Sequence, residues 1–307
     1  MNYSIVVPMF NEEGNVDEFC IRLSKVLDKL DGEYEVIFVD DGSNDATFVK
    51  LYEWSNKNQY LKIVRLSRNF GHQLALTAGI DMAKGNAVII MDGDLQHPPE
   101  LIPEMIGMWQ KGVHVVNTIR KDTAGASLLK KIFASCFYKL INLDTEVPIL
   151  SNSADFKLMD RVACDSLKQL REQDRFMRGM TSWIGFRQGT ISYIADERFS
   201  GSSKYTFLKM LKFAINGITS FTTLPLKTIG YLGCLIAIVS FFYASYAIYE
   251  HLVLRLTVTG WTSLLICVLF IGGVQLVSVG VLGAYIAKVY RQVKQRPLYL
   301  IQDKINI

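Results

Sequence analysis

The 307-residue chain carries a formal net charge of +4, is 50% apolar and has a mean hydropathy of +0.20. Length alone allows one large domain or two small ones, and an apolar excess of this size, gathered near the C-terminus, excludes an ordinary soluble domain throughout. The charge is modest and its basic part clusters beside the apolar segments, which argues for anionic lipid and against nucleic acid.

In chain order, the N-terminal stretch lacks a basic region followed by an apolar core and cleavage site, so it reads as a strand and not as a signal peptide. Ser4 to Val7 form that strand, which ends at Pro8, and Met9 to Glu13 link it to a helix with Val16, Phe19, Leu23, Val26 and Leu30 on one face. A second strand, Tyr34 to Val39, ends in Asp40-Asp41-Gly42-Ser43, with Ser43 or Asn44 as the N-cap of a helix through Trp54. A third, Leu61 to Leu66, ends in Ser67-Arg68-Asn69-Phe70-Gly71-His72 before another helix to Ala83. The fourth is a short apolar run from Ala87 that stops at Asp92-Gly93-Asp94. Residues spaced i, i+2 on an extended chain project to the same side, so Asp92 and Asp94 share one cation, and hard oxygen ligands suit Mg²⁺ or Mn²⁺. A bare pair of this kind is more often a solvated turn, so it carries weight only with its surroundings. Strands alternating with helices predict a mostly parallel sheet with its ligand sites beyond the strands' carboxyl ends, where all these polar clusters fall.

Further on, Val113 to Thr118 read as a strand ending at Arg120-Lys121, and Ser127 to Leu143 as an apolar helix carrying Lys130, Lys131 and Ser135. Asp155 to Met159 form another strand, followed by a helical segment with Arg175, Arg178 and Trp183. An ion pair between Asp155 and one of these arginines stands as the alternative to a catalytic role, since buried charges are usually paired. Gly201 to Tyr205, with Lys204, form a flexible cationic loop suited to closing over phosphate, or an ordinary linker. From Tyr205 to Leu224 an apolar stripe broken by Lys209 and Lys212 fits helices lying in a membrane interface. Thr228 to Tyr249 and Thr262 to Ala287 are uncharged and long enough to cross a hydrocarbon core of roughly 30 Å. Lysines and arginines flank these spans on their outer sides and only Arg255 lies between them, so both termini are expected in the cytoplasm. Cys20, Cys136, Cys164, Cys234 and Cys267 have no paired spacing, so no disulfide or zinc site is expected. Gly272, Gly273, Gly280 and Gly283 allow close helix packing within or between subunits.

The ordered stretches PMFNEE, DDGS, RNFGH and DGDLQHPPE resemble family 2 glycosyltransferases with the GT-A nucleotide-sugar fold. SADFKLMDR, DRFMRGM and RFSGSSKY, followed by two spans, are similar to its polyisoprenyl-phosphate branch of bactoprenol glucosyltransferases and dolichol-phosphate mannose synthases. The pattern departs at Ser153-Ala154-Asp155, where relatives often carry Gly before the Asp. The resemblance implies an α/β, Rossmann-like GT-A domain over residues 1–204, interfacial helices over 205–227, spans at 228–249 and 262–287, and a cytoplasmic tail over 288–307. It implies that Pro8, Asn11, Glu12, Asp40, Asp41 and Asp92 hold the nucleotide, that Asp92, Asp94 and Gln96 surround the metal, and that Asp94 and Asp155 are catalytic. Arg120, Lys131 and Ser135 would bind an acceptor phosphate, with Lys204 beside them. Each has an ordinary alternative: helix capping for the strand-end residues, a solvated basic face for the cations.

The implied reaction moves one sugar from a nucleotide diphosphate donor, UDP-linked, to undecaprenyl or another polyprenyl phosphate at the inner membrane, with inversion. The implied partners are that donor, that lipid and the membrane, with a homo-oligomer, a downstream flippase and a second glycosyltransferase left open. Two competing readings are a processive polysaccharide synthase, which needs more spans and a Q-x-x-R-W motif, and a silent nucleotide-binding scaffold.

Overall fold

The computed structural model describes residues 1–121, 153–194, 222–249 and 260–307. The expected helix over 127–143 with Lys131 and Ser135, the loop with Lys204 and all but the end of the interfacial segment lie outside the described residues.

Apolar strand cores and amphipathic helices alternate as the periodicity requires. The order is β1 (Tyr3–Met9), α1 (Val16–Leu27), β2 (Tyr34–Asp40), α2 (Thr47–Lys57), β3 (Leu61–Leu66), α3 (His72–Met82), β4 (Ala87–Ile90) and α4 (Ile102–Gln110). Then come β5 (Val115–Lys121), β6 (Ser153–Asp160), α5 (Arg161–Gln169), α6 (Met177–Trp183), β7 (Gln188–Ile194), α7 (Leu224–Tyr249), α8 (Trp261–Val293) and β8 (Ile301–Ile305). The strands form one sheet in the order β7-β5-β6-β4-β1-β2-β3-β8. β3, β2, β1 and β4 are mutually parallel, β6 runs antiparallel to β4 and β5, and β7 is parallel to β5. Ile5, Val7, Phe38 and Ile89 on one face share a core with Phe19 and Leu23 of α1 and Met105 of α4. α3 packs on β1 and β2. The expected α/β class with a mostly parallel central sheet is therefore the fold observed.

The C-terminal residues differ from expectation. The segment 288–307 read as a tail, but α8 continues to Val293 and Pro297–Ile307 belong to the same compact unit as Met1–Ala214. β8 pairs antiparallel with β3, the Ser67 amide donates to Leu300 O at 2.9 Å, and the Tyr299 hydroxyl donates to Asp81 Oδ2 at 2.8 Å. Ile-Gln-Asp-Lys-Ile is short and mostly exposed, so its apolar pattern is too weak to reveal an edge strand. The other unit, Ile215–Arg296, contains α7 and α8. Its apolar segments long enough to cross a membrane are Leu224–Tyr243 and Phe270–Val293, the first beginning before and the second ending beyond the expected spans. Leu235, Phe241, Leu276 and Val279 are exposed on them, as a hydrocarbon surrounding favours.

Gly79 sets how closely α3 approaches the sheet. A Cβ there would lie 2.2 Å from Val6 Cγ1 and 3.0 Å from Val39 Cγ2. Alanine favours a helix interior over glycine by about 1 kcal/mol, whereas overpacking a core costs about 1–3 kcal/mol. The overlap wins because Val6 is β-branched and fixed in β1. Gly79→Ala is expected to lower the thermal unfolding midpoint, and adding Val6→Ala to cost less than the sum of the two single changes. A raised midpoint for Gly79→Ala would contradict this packing.

Candidate active site

The site opens where two strands separate. β1 runs to Met9, but its pairing with β4 ends at Val6 opposite Ile90, after which the Met91 amide donates to Val6 O at 3.1 Å. Met9 O accepts from the Asp41 amide on the opposite side, so Pro8, which alternates with Met9, turns its nitrogen toward β4 beyond the last pairing. A proline in an interior strand thus loses no ladder bond here. β2 and β3 extend the sheet to one side of β1, and β4 and β6 to the other, which makes this gap the topological switch point where open α/β sheets bind ligands.

From β4 the chain enters the acidic turn. A Cβ at Gly93 would lie 2.3 Å from Met9 Sδ, so any side chain there displaces the Met9 thioether, and Leu95 adopts φ 63°, a strained value for a residue with a side chain. Asp94 Oδ1 accepts from the Gln96 amide at 3.2 Å. His97 is nearly buried, its ring stacked on Phe156 at 5.3 Å and edge-on to Tyr193 at 6.0 Å. Its Nδ1 accepts from the Asp92 amide at 3.0 Å. A ring nitrogen that accepts carries no proton, so the 3.7 Å approach of Nδ1 to Asp92 Oδ2 is not an ion pair. His97 is a brace for the turn.

Asp92 Oδ1 is buried and, among the described residues, lacks a hydrogen-bond donor, although His72 Nε2 comes within 3.2 Å without alignment. Such an orphaned anionic oxygen fits a cation. Among the described residues no cluster of three His, Cys, Asp or Glu side chains is arranged for a metal. Two carboxylates completed by phosphate oxygens are the usual holders of Mg²⁺, so the donor set fits a metal that arrives with a diphosphate.

The strand-end loops are laced together. Asn11, at φ 53°, donates its amide to Ser43 Oγ at 3.0 Å and accepts at Oδ1 from the Asn44 amide at 2.9 Å. The Glu12 amide donates to Thr47 Oγ1 at 2.8 Å. Asp40 and Asp41 are more enclosed than expected of groups that grip a nucleotide. Asp40 Oδ1 accepts from the Ser43 amide at 3.0 Å and Oδ2 lies 3.4 Å from Arg65 Nε. Both Asp41 oxygens accept backbone amides, from Phe70 at 2.7 Å and Gly71 at 2.9 Å. Burial pushes the Asp41 carboxyl up, against the pull of those amides. Asp41 therefore staples the loop before α3 to the end of β2 and fixes where His72 starts its helix. Sequence reasoning missed this because the two partners are backbone groups about thirty residues away.

Asp155 comes to the same place from β6. Ile90 pairs with Lys157, so two residues further along the antiparallel strands Asp92 faces Asp155. His72 Nε2 lies between them, 3.2 Å from Asp92 Oδ1 and 3.8 Å from Asp155 Oδ2. Of the two arginines considered from the sequence, Arg178 is the partner: its Nε meets Asp155 Oδ1 at 3.0 Å and Nη2 meets Oδ2 at 3.4 Å. Arg175 instead donates to Leu170 O. Gln73 donates to Asp155 Oδ2 at 3.4 Å and accepts the Met177 amide at 2.8 Å, tying α3 to α6. Burial alone would raise the Asp155 carboxyl, but Arg178, Lys157 and His72 outweigh it and hold it well below the usual carboxylate range. Beside it opens a cavity of about 560 Å³ lined by Phe70, His72, Gln73, Asp155, Arg175 and Arg178. Arg120 lies at the end of β5 opposite Tyr193 of β7, with its Nε buried and, among the described residues, without a hydrogen-bond partner. It is not among the residues that line this cavity.

Residues 4–168 match the family model described as Glycosyl transferase family 2. The chain is 47% identical over 300 residues to an uncharacterized glycosyltransferase of Synechocystis sp., covering 98% of this chain and 94% of that one. It is 40% identical over 302 residues to the SfII prophage-derived bactoprenol glucosyl transferase of Shigella flexneri, covering 98% of each. Among solved structures it is similar to S. aureus TarS 1-349 in complex with UDP-GlcNAc, at 20% identity and a TM-score of 0.49, over 72% of this chain and 66% of that one.

Proposed function

The chain belongs to glycosyltransferase family 2, and from that membership we propose that it transfers a single sugar from a UDP-linked donor to polyprenyl phosphate, with inversion at the sugar carbon. The acceptor is undecaprenyl phosphate and the product a polyprenyl-monophosphate sugar. One observation carries this reading: Asp92 and the Asp155–Arg178 pair meet at a switch point beside a cavity with two arginines. The Shigella relative is named for transfer to a bactoprenol, which supports the lipid acceptor.

Asp92 and Asp94, with Gln96 next to them, are the residues to hold Mg²⁺ or Mn²⁺, which when bound neutralises the leaving diphosphate. Pro8, Asn11, Glu12, Asp40 and Asp41 shape the loops against which base and ribose lie. Arg178 orients the acceptor phosphate, and Arg120, Lys131, Ser135 and Lys204 complete its binding from other segments. Asp155 takes no proton, because a strongly depressed carboxyl is a poor base and a phosphate monoester is already largely ionised above about pH 6. Its role is to hold Arg178 in place. α7 and α8 keep residues 1–204 at the cytoplasmic face of the inner membrane, with the 205–227 segment in the interface and both termini cytoplasmic.

Asp94→Asn, which keeps side-chain volume but removes an anionic ligand, is expected to leave the fold intact and abolish polyprenyl-phosphate-stimulated release of UDP from the donor, as is excess EDTA. UDP release by the full chain that ignores added polyprenyl phosphate would contradict the acceptor. Asp155→Asn is expected to lower the rate about 10²-fold through misplacement of Arg178 while leaving the acid limb of the pH profile where the acceptor phosphate sets it. A variant whose rate instead climbed about tenfold per pH unit through neutrality, as if hydroxide replaced a lost base, would make Asp155 the base.

A further inference from the structure

Lys157 is fully buried in the middle of β6, between Ile90 of β4 and Asn117 of β5. Its ammonium donates to Thr181 Oγ1 of α6 at 3.0 Å, and that hydroxyl donates onward to Met177 O at 2.9 Å. Among the described residues Lys157 makes no ion pair within 4.0 Å. Burying a cation this way is costly, and an apolar side chain of similar length would fill the same space. Being two residues from Asp155, it lies on the same side of β6. Asp155 is already matched by Arg178, so Lys157 leaves the group Asp155–Arg178–Lys157 with one net positive charge, set against the Asp92 carboxylate that faces Asp155.

We propose that Lys157 is a positioning residue for the acceptor, its charge behind Asp155 and Arg178 offsetting the carboxylates beside the cavity and so drawing in a lipid-borne phosphate. The inference rests on the polyprenyl-phosphate reading above. The groups facing Lys157 are Asp155 on its own strand, with His72 of α3 and Asp92 beyond the end of β4 on its far side, and Arg178 and Thr181 on α6, while Ile90 and Asn117 directly beside it are uncharged. Burial pushes the ammonium down to about 8, within reach of experiment. With a second pKa near ~6 the acceptor phosphate is already about nine-tenths dianionic at pH 7, so a tenfold weakening through pH 8 reports the protein.

The test measures binding of farnesyl phosphate, a short polyprenyl monophosphate, to the full chain in detergent from pH 7 to pH 9.5, with the donor KM and lipid-linked product measured in parallel. Wild-type affinity is expected to fall about tenfold through pH 8, the scale of one charge interaction at protein dielectric. Lys157→Met is expected to bind about tenfold more weakly at pH 7, to lose that pH dependence and to keep its donor KM. Equal weakening toward donor and acceptor would mark a merely structural residue and overturn the inference. Should Lys157→Met fail to fold, the wild-type series still decides, since an affinity flat from pH 7 to 9.5 overturns the proposal. Wild-type protein that makes no lipid-linked sugar overturns the acceptor reading and this inference together; product formation with unchanged Lys157→Met binding overturns this inference alone.

Discussion

The arrangement depends on one ion pair, Asp155 with Arg178, formed where β6 passes antiparallel to β4 and is covered by α6. Removing one partner of such an enclosed pair leaves an uncompensated charge, at a cost of about 3–5 kcal/mol, so the two side chains are held where they are. The same pairing depresses the Asp155 carboxyl, which fixes it as an anion. An enclosed carboxylate held this far from neutrality orients cations well and takes protons badly. That property suits an acceptor that is already an anion and suits a sugar hydroxyl poorly.

Around that pair the loops act as a frame. Asp41 grips the two amides before α3, Gln73 joins α3 to α6, and His97 braces the turn that carries Asp92. The first ties the end of β2 to the loop after β3, the second joins two helices and the third closes one turn on itself, so the groups around the pair are held before any ligand binds. Preorganisation of this kind matters because placement errors of about 1 Å are worth orders of magnitude in rate. It also explains why Leu95 and Asn11 tolerate left-handed backbone: the surrounding hydrogen bonds over-determine the turns they sit in.

Much of this was legible in the sequence, and the failures have physical causes. The four parallel strands announced themselves as short apolar runs ending in polar clusters, Asp92 and Asp94 stood out as carboxylates at such an end, and Asp155 as a charge at the start of a later strand. The choice of Arg178 over Arg175 was not legible, since both lie near Phe176 and only the course of α6 separates them. That three of the four carboxylate oxygens of Asp40 and Asp41 accept the protein's own amides was not legible either, since those partners are backbone groups. Lys157 sat unnoticed in a strand because a single cation in an apolar run carries no periodic signal, and β8 was hidden by its polar exposed face.

The central claim is that the carboxylates and cations at the switch point serve one transfer to a lipid monophosphate. The most direct measurement is mass spectrometry of the lipid extracted after the full chain is given undecaprenyl phosphate, a divalent metal and a panel of UDP-sugars. The account predicts one species heavier than the acceptor by a single sugar residue and carrying one phosphate. A diphosphate-linked sugar, a ladder of added sugars, or unmodified lipid with every donor would contradict it.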